Sequence, residues 1–183
     1  MALPPSDEAP MNQVNESSSL AVITAARRSQ AVRVWAATLS LVAIWSAAIL
    51  IAPVARLLAV EQVSTPLYNF FGYVCHQLPD RSFHIMGEQF GVCSRCFGVY
   101  FGIVLGIAIY PLFRQIDTVE PIPRVWLFLS LIPIGIDWSL TAFGIWENTQ
   151  FSRLATGLIL GAACAVFIIP ALVEITRNLT RRR

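Results

Sequence analysis

The chain has 183 residues, of which 56% are hydrophobic and 13% are charged, and its mean hydropathy is +0.63. Soluble domains carry roughly 25% charged residues, so this composition excludes an ordinary soluble domain and is typical of a membrane protein. The net charge of +2 gives no indication of a nucleic-acid partner, and we expect the lipid bilayer as partner instead. Composition leaves the oligomeric state open.

The N-terminal segment differs from the rest of the chain. Residues 1–30 are rich in Pro, Ser, Asn and acidic residues in their first part and show no apolar period. Such a segment buries too little apolar surface to offset the entropy of ordering, so the sequence predicts a disordered cytoplasmic tail. A four-helix membrane domain is then expected over residues 31–176, followed by a basic C-terminal tail over residues 177–183.

Four apolar segments are long enough to cross a bilayer, since a hydrocarbon core of about 30 Å needs roughly 20 helical residues. The predicted spans cover residues 34–55, 97–113, 125–146 and 154–173. The predicted fold class is therefore all-α: a four-helix transmembrane bundle with a long Cys/His-containing loop between helices 1 and 2. Within that loop we expect a short interfacial or re-entrant helix over residues 66–77.

Small residues recur at every fourth position in two of the predicted helices. They are Gly98, Gly102 and Gly106 in the second helix and Gly157, Gly161 and Ala165 in the fourth. Residues of this size and spacing form a flat stripe at which helices approach closely, which favours a packed bundle over four separate anchors.

Arginine placement predicts the orientation, because cytoplasmic segments of membrane proteins carry an excess of basic residues. With the N-terminus inside, the cytoplasmic segments hold Arg27, Arg28, Arg33, Arg114, Arg124, Arg177, Arg181, Arg182 and Arg183, and the outer segments hold Arg56, Arg81, Arg95 and Arg153. We therefore expect a multipass protein of the cell membrane with both termini cytoplasmic and the Cys/His loop on the outer face. The terminal basic clusters also suit anionic inner-leaflet lipids.

The long loop holds three of the four cysteines and both histidines. The pattern is C-H-x16-C-x2-C, formed by Cys75, His76, Cys93 and Cys96, with His84 between them. A C-x2-C pair wraps two thiolates around one ion, and a third thiolate with one histidine completes a tetrahedral set. The sequence predicts these four residues as ligands of zinc or another soft transition metal. Because adjacent side chains diverge, the spacing favours His84 as the alternative nitrogen ligand.

Two other chemistries remain open for the same cysteines. Cys93 and Cys96 precede a predicted helix and flank Arg95, and both features lower thiol pKa values. They are therefore also candidate catalytic residues of a membrane thiol–disulfide oxidoreductase, and whether the protein is an enzyme stays open. A disulfide from Cys75 to either of them would instead staple the loop, as in a structural or assembly subunit. The fourth cysteine, Cys164, is interpreted as a small buried hydrophobic residue in the last helix.

Three arginines near the cysteines are candidate cofactor-binding residues. They are Arg81, Arg95 and Arg153. The first two have two open interpretations: their guanidinium groups bind an anion, or they form local ion pairs with Asp80 and Glu88.

Asp137 lies in the middle of the third predicted span, where a carboxylate is costly and usually faces the bundle interior. It is a candidate catalytic residue or, equally, a buried polar clamp. Its candidate partners are Arg95, Arg153 and Thr156. Because Asn148 also lies near the outer start of the last helix, we expect these polar groups and the cysteines to converge in one pocket.

Four segments of the chain resemble a family of small predicted multipass membrane proteins of bacteria and archaea, a domain of unknown function. The segments are CHQLPDRSF, CSRCFGVYFG, IPIGIDWSLTAFG and NTQFSRLATG, within about residues 60–165. The resemblance implies a signature of Cys75, His76, Gln77, Pro79, Arg81, Ser82, Cys93, Arg95, Cys96, Gly98, Tyr100, Gly102, Asp137, Asn148, Arg153, Thr156 and Gly157. It implies no activity, and it supports His76 over His84 as the histidine of the site.

Overall fold

The computed structural model of the protein describes residues 8–120 and 122–181, with side chains from residue 16 onward. In chain order the elements are helices α1 (Glu8–Leu57) and α2 (Glu61–Gly72), a 3-10 turn (Pro79–Arg81), strands β1 (His84–Ile85) and β2 (Glu88–Gln89), and helices α3 (Ser94–Phe113), α4 (Val125–Ala142) and α5 (Gln150–Arg181). The two short strands pair in antiparallel fashion within the long loop.

The predicted all-α fold with four membrane spans is confirmed. Helices α1, α3, α4 and α5 are each long and apolar enough to cross a bilayer. The predicted spans lie inside these helices except for residues 143–146, because α4 already ends at Ala142. Gly144 explains this end: its φ of +68° is the left-handed conformation that terminates helices, and its N–H donates to the carbonyl of Thr141.

The two predicted tails differ from the structure where it describes them. Residues 8–30 are helical and continue into the first span without a break, although the side chains described there are almost all exposed. This segment contains four Ala, two Arg and one Leu residue, and extending an existing helix avoids the cost of nucleation. Residues 177–181 likewise belong to α5. The predictions for residues 1–7 and 182–183 lie outside the described residues.

The stripes of small residues in α3 and α5 face each other, so the backbones of these parallel helices are in contact. A Cβ atom placed on Gly98 would lie 2.5 Å from the carbonyl oxygen of Leu154, and one on Gly102 would lie 2.5 Å from that of Leu158. Real Cβ atoms do not approach backbone so closely, so only glycine fits here without moving the helices apart.

A proline in α3 creates the acceptor for a contact with α1. Pro111 has no N–H, so the carbonyl of Ile107 lacks its usual partner within the helix. The indole Nε1 of Trp35 donates to this carbonyl at 2.7 Å. The hydrogen bond satisfies two polar groups in an apolar region and fixes α1 against α3.

The same device attaches the long loop to α1. Pro53 leaves the carbonyl of Ile49 without a partner in its helix, and the N–H of Gly91 approaches this oxygen at 3.4 Å. Next to this point Phe71 of α2 is fully buried, and its ring meets that of Trp45 edge to face at 5.6 Å. Helix α2 begins five residues earlier than the interfacial helix expected from the sequence, and it closes one side of the loop.

The two ends of the bundle are formed by different segments of the chain. The long loop, the start of α3, the end of α4 and the start of α5 share one end. At the other end Gln30 Nε2 donates to Thr180 Oγ1 at 3.0 Å, and Arg177 Nη2 donates to the carbonyl of Asp117 at 2.8 Å. Both helical chain ends therefore lie opposite the cysteines.

Replacing Gly102 with Ala should force α3 and α5 apart. We expect a loss of about 1–3 kcal/mol of stability, because the new methyl group overlaps the α5 backbone. Thermal unfolding of the detergent-solubilised protein measures it. The matched control is Gly135→Ala in α4, where a Cβ atom would meet nothing within 4 Å. Equal unfolding temperatures for the two variants would contradict the close contact.

Candidate functional site

Three cysteines meet at the N-terminus of α3. The Sγ atoms of Cys75, Cys93 and Cys96 all lie within 4.8 Å of one another. Cys75 is buried in the segment after α2, Cys93 is the residue before the first turn of α3, and Cys96 lies within that turn. Cys164, in α5, is not a member of this group. The structure therefore brings together the three thiols that the sequence predicts as one site.

Cys75 is the cysteine best prepared to be a thiolate. Its pKa is lowered by hydrogen bonds with the Cys93 and Cys96 side chains and by backbone donors. The N–H of Cys93 lies 3.2 Å from the Cys75 sulfur, and the N–H of Gln77 lies 3.5 Å from it. Since the thiolate is the form that binds metals and attacks disulfides, these donors favour both chemistries.

Two glutamines hold the turn that carries Cys75. The Nε2 group of Gln77 donates to the carbonyls of Tyr68 at 2.9 Å and Gly91 at 2.8 Å. Gln89 Nε2 in turn donates to the carbonyl of Gln77 at 2.6 Å. Gln77 adopts a φ of +48°, which is uncommon for a residue with a side chain. The family signature included Gln77 without assigning it a role, and Gln89 was not predicted, because neither residue has a position in a metal or redox motif.

Neither histidine joins the sulfurs. His76 follows the buried Cys75 and is exposed, and His84 is exposed in β1, where it pairs with Gln89. In the described part of the chain no ligand atom of a His, Asp or Glu completes the three-sulfur group. Neighbouring side chains diverge, which places His76 outside, and the hairpin carries His84 away. A nitrogen ligand from either residue stays a prediction.

A chain of polar contacts crosses the bundle beside the cysteines. The Oδ2 atom of Asp137 accepts hydrogen bonds from Arg95 Nη2 and, at 2.9 Å, from Asn148 Nδ2. Arg153 Nη2 donates to Asn148 Oδ1. Of the predicted partners of Asp137, Arg95 therefore binds it directly and Arg153 is linked through Asn148. Thr156 instead donates to the carbonyl of Ser152 in its own helix.

The local ion pairs considered for the arginines are not formed among the described residues. Arg95 pairs with Asp137, while Glu88 pairs with Arg56 at 3.6 Å. Arg81 is positioned through its backbone, since its carbonyl accepts a hydrogen bond from Ser94 Oγ at 2.9 Å. This contact holds the loop against the first turn of α3.

These groups line one cavity of about 350 Å³. Its lining residues are Arg81, Cys93, Arg95, Cys96, Trp138, Thr141, Ala142, Asn148 and Arg153. The expected convergence is therefore found for Cys93, Cys96 and three of the polar groups, Arg95, Asn148 and Arg153. Cys75, Asp137 and Thr156 are not among the described lining residues. Trp138, Thr141 and Ala142 were not predicted as residues of the site. Thr141 had a detectable signal, because it lies four residues after Asp137 on the same helix face, and its Oγ1 donates to the Asp137 carbonyl at 3.1 Å.

Comparisons with known proteins agree with this picture. Residues 75–167 match the family described as "Predicted membrane protein (DUF2085)". An uncharacterised protein of Methanocaldococcus jannaschii is 38% identical over 113 residues, which cover 61% of this chain and 72% of the relative. An uncharacterised protein of Methanothermobacter thermautotrophicus is 37% identical over 98 residues, which cover 52% of this chain and 85% of the relative. No solved structure matches the chain.

Replacing Asp137 with Ala should destabilise the fold by about 3–5 kcal/mol, because it leaves the charge of Arg95 largely buried and unpaired. The side chains of Arg95 and Asp137 are only 25% and 10% exposed. Combining Arg95→Met with Asp137→Leu removes both charges and should recover part of the loss. Thermal unfolding in detergent measures each variant.

The matched control is Glu88→Gln, which breaks a pair whose side chains are 34% exposed for Glu88 and 57% exposed for Arg56. We expect a change of no more than about 1 kcal/mol. An Asp137→Ala protein as stable as this control would show that Asp137 is not a structural clamp.

Proposed function

We propose that this chain, which belongs to the DUF2085 family of predicted membrane proteins, binds a soft transition-metal ion such as zinc at Cys75, Cys93 and Cys96. The observation that carries the proposal is the approach of the three Sγ atoms to within 4.8 Å of one another. Zinc–sulfur bonds of about 2.3 Å in tetrahedral geometry separate sulfurs by about 3.8 Å. Small side-chain adjustments would therefore bring all three onto one ion, and thiolates select soft metals.

A fourth ligand must come from outside the three-sulfur group. Cys93 and Cys96 line the 350 Å³ cavity, so an ion held there would face it. Three protein ligands with an open fourth position are typical of zinc sites that exchange a ligand, whereas closed structural sites have four. We therefore favour metal handling or metal-assisted chemistry over a purely structural ion. A histidine reaching in from the loop remains an alternative fourth ligand.

A thiol–disulfide oxidoreductase is the second candidate function. The observation that favours it is the close approach of three thiols at the start of a helix, where the N–H groups of Cys93 and Gln77 are directed at the Cys75 sulfur. Disulfide exchange requires one thiolate that can approach a sulfur of a neighbouring pair, and all four cysteines are free in the structure.

Metal content and free-thiol count of the purified full-length protein separate these functions. We expect about one metal ion per chain in the wild type and a nearly complete loss in Cys93→Ser, because the variant removes one of three sulfur ligands. Cys164→Ser is the matched control, since this cysteine lies outside the cluster and should keep the metal. Mass spectrometry measures the metal.

Two other outcomes would contradict metal binding. Metal-free protein whose thiols titrate reversibly against a redox buffer would favour the oxidoreductase. Metal-free protein with a disulfide that resists reduction would indicate that the cysteines only cross-link the loop, as in a structural or assembly subunit.

We also propose that both termini are cytoplasmic and that the cysteine cluster lies on the outer face. Nine of the thirteen arginines lie in the segments assigned to the inside. At the end of the bundle where α5 ends, Arg27, Arg177 and Arg181 line one cavity together with one acidic residue, Glu174. Such clustered basic side chains suit anionic lipid headgroups of the inner leaflet.

Labelling with a membrane-impermeant thiol reagent in intact cells tests the orientation. Met86→Cys should be labelled, since Met86 is 91% exposed at the tip of the hairpin in the long loop. Gln115→Cys, in the connection at the opposite end, should react only after lysis. The wild-type chain reports the background from native cysteines. The reverse pattern would invert the proposed orientation.

A further inference from the structure

We infer that the cavity beside the cysteines is a binding site for a small oxyanion, held by Arg81, Arg95 and Arg153. The ligand class is a phosphate-like or carboxylate-like group with two or more acceptor oxygens. This inference goes beyond the proposed metal site and does not depend on it, because it rests on the arginines and not on the sulfurs.

The side chains that line the cavity carry an excess of positive charge. Three guanidinium groups line the cavity, and no carboxylate is among its described lining residues. The nearby Asp137 is already bound by Arg95 and Asn148. In the described part of the chain no carboxylate lies within 4 Å of Arg81 or Arg153. Arg81 and Arg153 therefore bring two positive charges that no described carboxylate pairs with directly.

These positive charges also act on one another. The guanidinium group of Arg153 is repelled by Arg81 and Arg95 and, more weakly, attracted by Asp137 and Cys93. Like charges held together at a cavity are unfavourable unless something of opposite charge enters. The polar chain through Asn148 fixes Arg153 and so prevents its side chain from swinging away freely. An anion is the ligand that relieves this arrangement.

One arginine of the cavity also has a hydrogen-bond donor that is not used by any described residue. A guanidinium group carries five N–H donors in a planar fork that matches the oxygens of a carboxylate or phosphate. Arg95 Nε is buried, and no hydrogen-bond partner for it is found in the part of the chain that the structure describes. A buried donor without a partner is costly, so an acceptor oxygen bound here would be strongly favoured.

The start of α3 adds to the same effect. This helix of 20 residues begins at Ser94, next to the cavity, and no side chain caps its N-terminus by a hydrogen bond. Its first N–H groups and its dipole favour negative charge at this place. The helix start and the three arginines therefore point to the same class of ligand.

Size and position limit the ligand further. A volume of about 350 Å³ lies at the small end of ligand-binding pockets, which suits an inorganic anion or a small headgroup. The cavity lies at the end of the bundle where α3 and α5 begin. A free anion and a phospholipid headgroup present the same oxygens, so the experiment must separate these two sources.

Calorimetric titration of inorganic phosphate into the chelator-treated full-length protein in neutral detergent tests the site. We expect saturable binding that weakens with added salt. Arg153→Gln and Arg81→Gln should each weaken binding by about ten- to a hundredfold, since each removes a charge-assisted contact. Arg153→Lys should give an intermediate loss, because it keeps the charge but lacks the fork. Using chelated protein keeps this result separate from that of the metal assay.

The matched control is Arg56→Gln, which removes an arginine from the same end of the bundle but from outside the cavity. It should bind phosphate as the wild type does. Absence of saturable phosphate binding to the folded wild type would overturn the inference. Equal weakening by Arg56→Gln and Arg153→Gln would also overturn it, because that pattern indicates general surface attraction.

Nanodiscs identify the source of the anion. In discs of zwitterionic phosphatidylcholine the phosphate affinity should match that in detergent if the site takes a free anion. In discs of phosphatidylglycerol the affinity for phosphate should fall if the lipid headgroup occupies the site. In that case the wild type should retain phosphatidylglycerol selectively, and Arg153→Gln should not. Should the Arg153 variants fail to fold, the wild type, Arg81→Gln and Arg56→Gln provide the same comparison.

Discussion

The close parallel contact between α3 and α5 is the constraint on which the site depends. Gly98 and Gly157 allow two backbones to touch, and a Cβ atom on Gly157 would collide with the carbonyl of Arg95. Because the two helices run in the same direction, this contact sets their N-termini side by side. Arg95 and Arg153 lie within the first turns of these helices, so residues without functional groups determine where the charged groups meet.

Helix α4 is attached in a different way. Among its described residues only Ser130 is buried, so apolar packing holds it weakly to the other helices. Its main polar attachment is Asp137, which binds Arg95 of α3 and Asn148, just before α5. A carboxylate at this depth is costly in isolation. Here it is the group that joins three helices, which explains why an apolar helix contains one.

The sequence predicted the fold because hydropathy alone decides which segments cross a bilayer, and the glycine spacing marked the surfaces that pack. It predicted the meeting of Cys75 with the C-x2-C pair, because such a pair needs further ligands to complete a tetrahedral metal site. It could not place His76 or His84, because the direction of a loop side chain depends on turns such as that at Gln77. Nor did it predict helix over residues 8–30, where composition alone indicated disorder.

Pro53 in α1 and Pro111 in α3 each determine where a neighbouring segment can bind to the helix backbone. In hydrocarbon a carbonyl without a hydrogen bond is costly, so the carbonyl left unpaired by each of these two prolines has to find a donor elsewhere. Trp35 donates to the carbonyl of Ile107, and the N–H of Gly91 donates to that of Ile49. An apolar surface packs against many different neighbours, whereas an unpaired carbonyl oxygen is satisfied only by a donor at the correct position along the helix. A proline, which lacks the backbone N–H, can therefore favour one register between two helices over the alternatives.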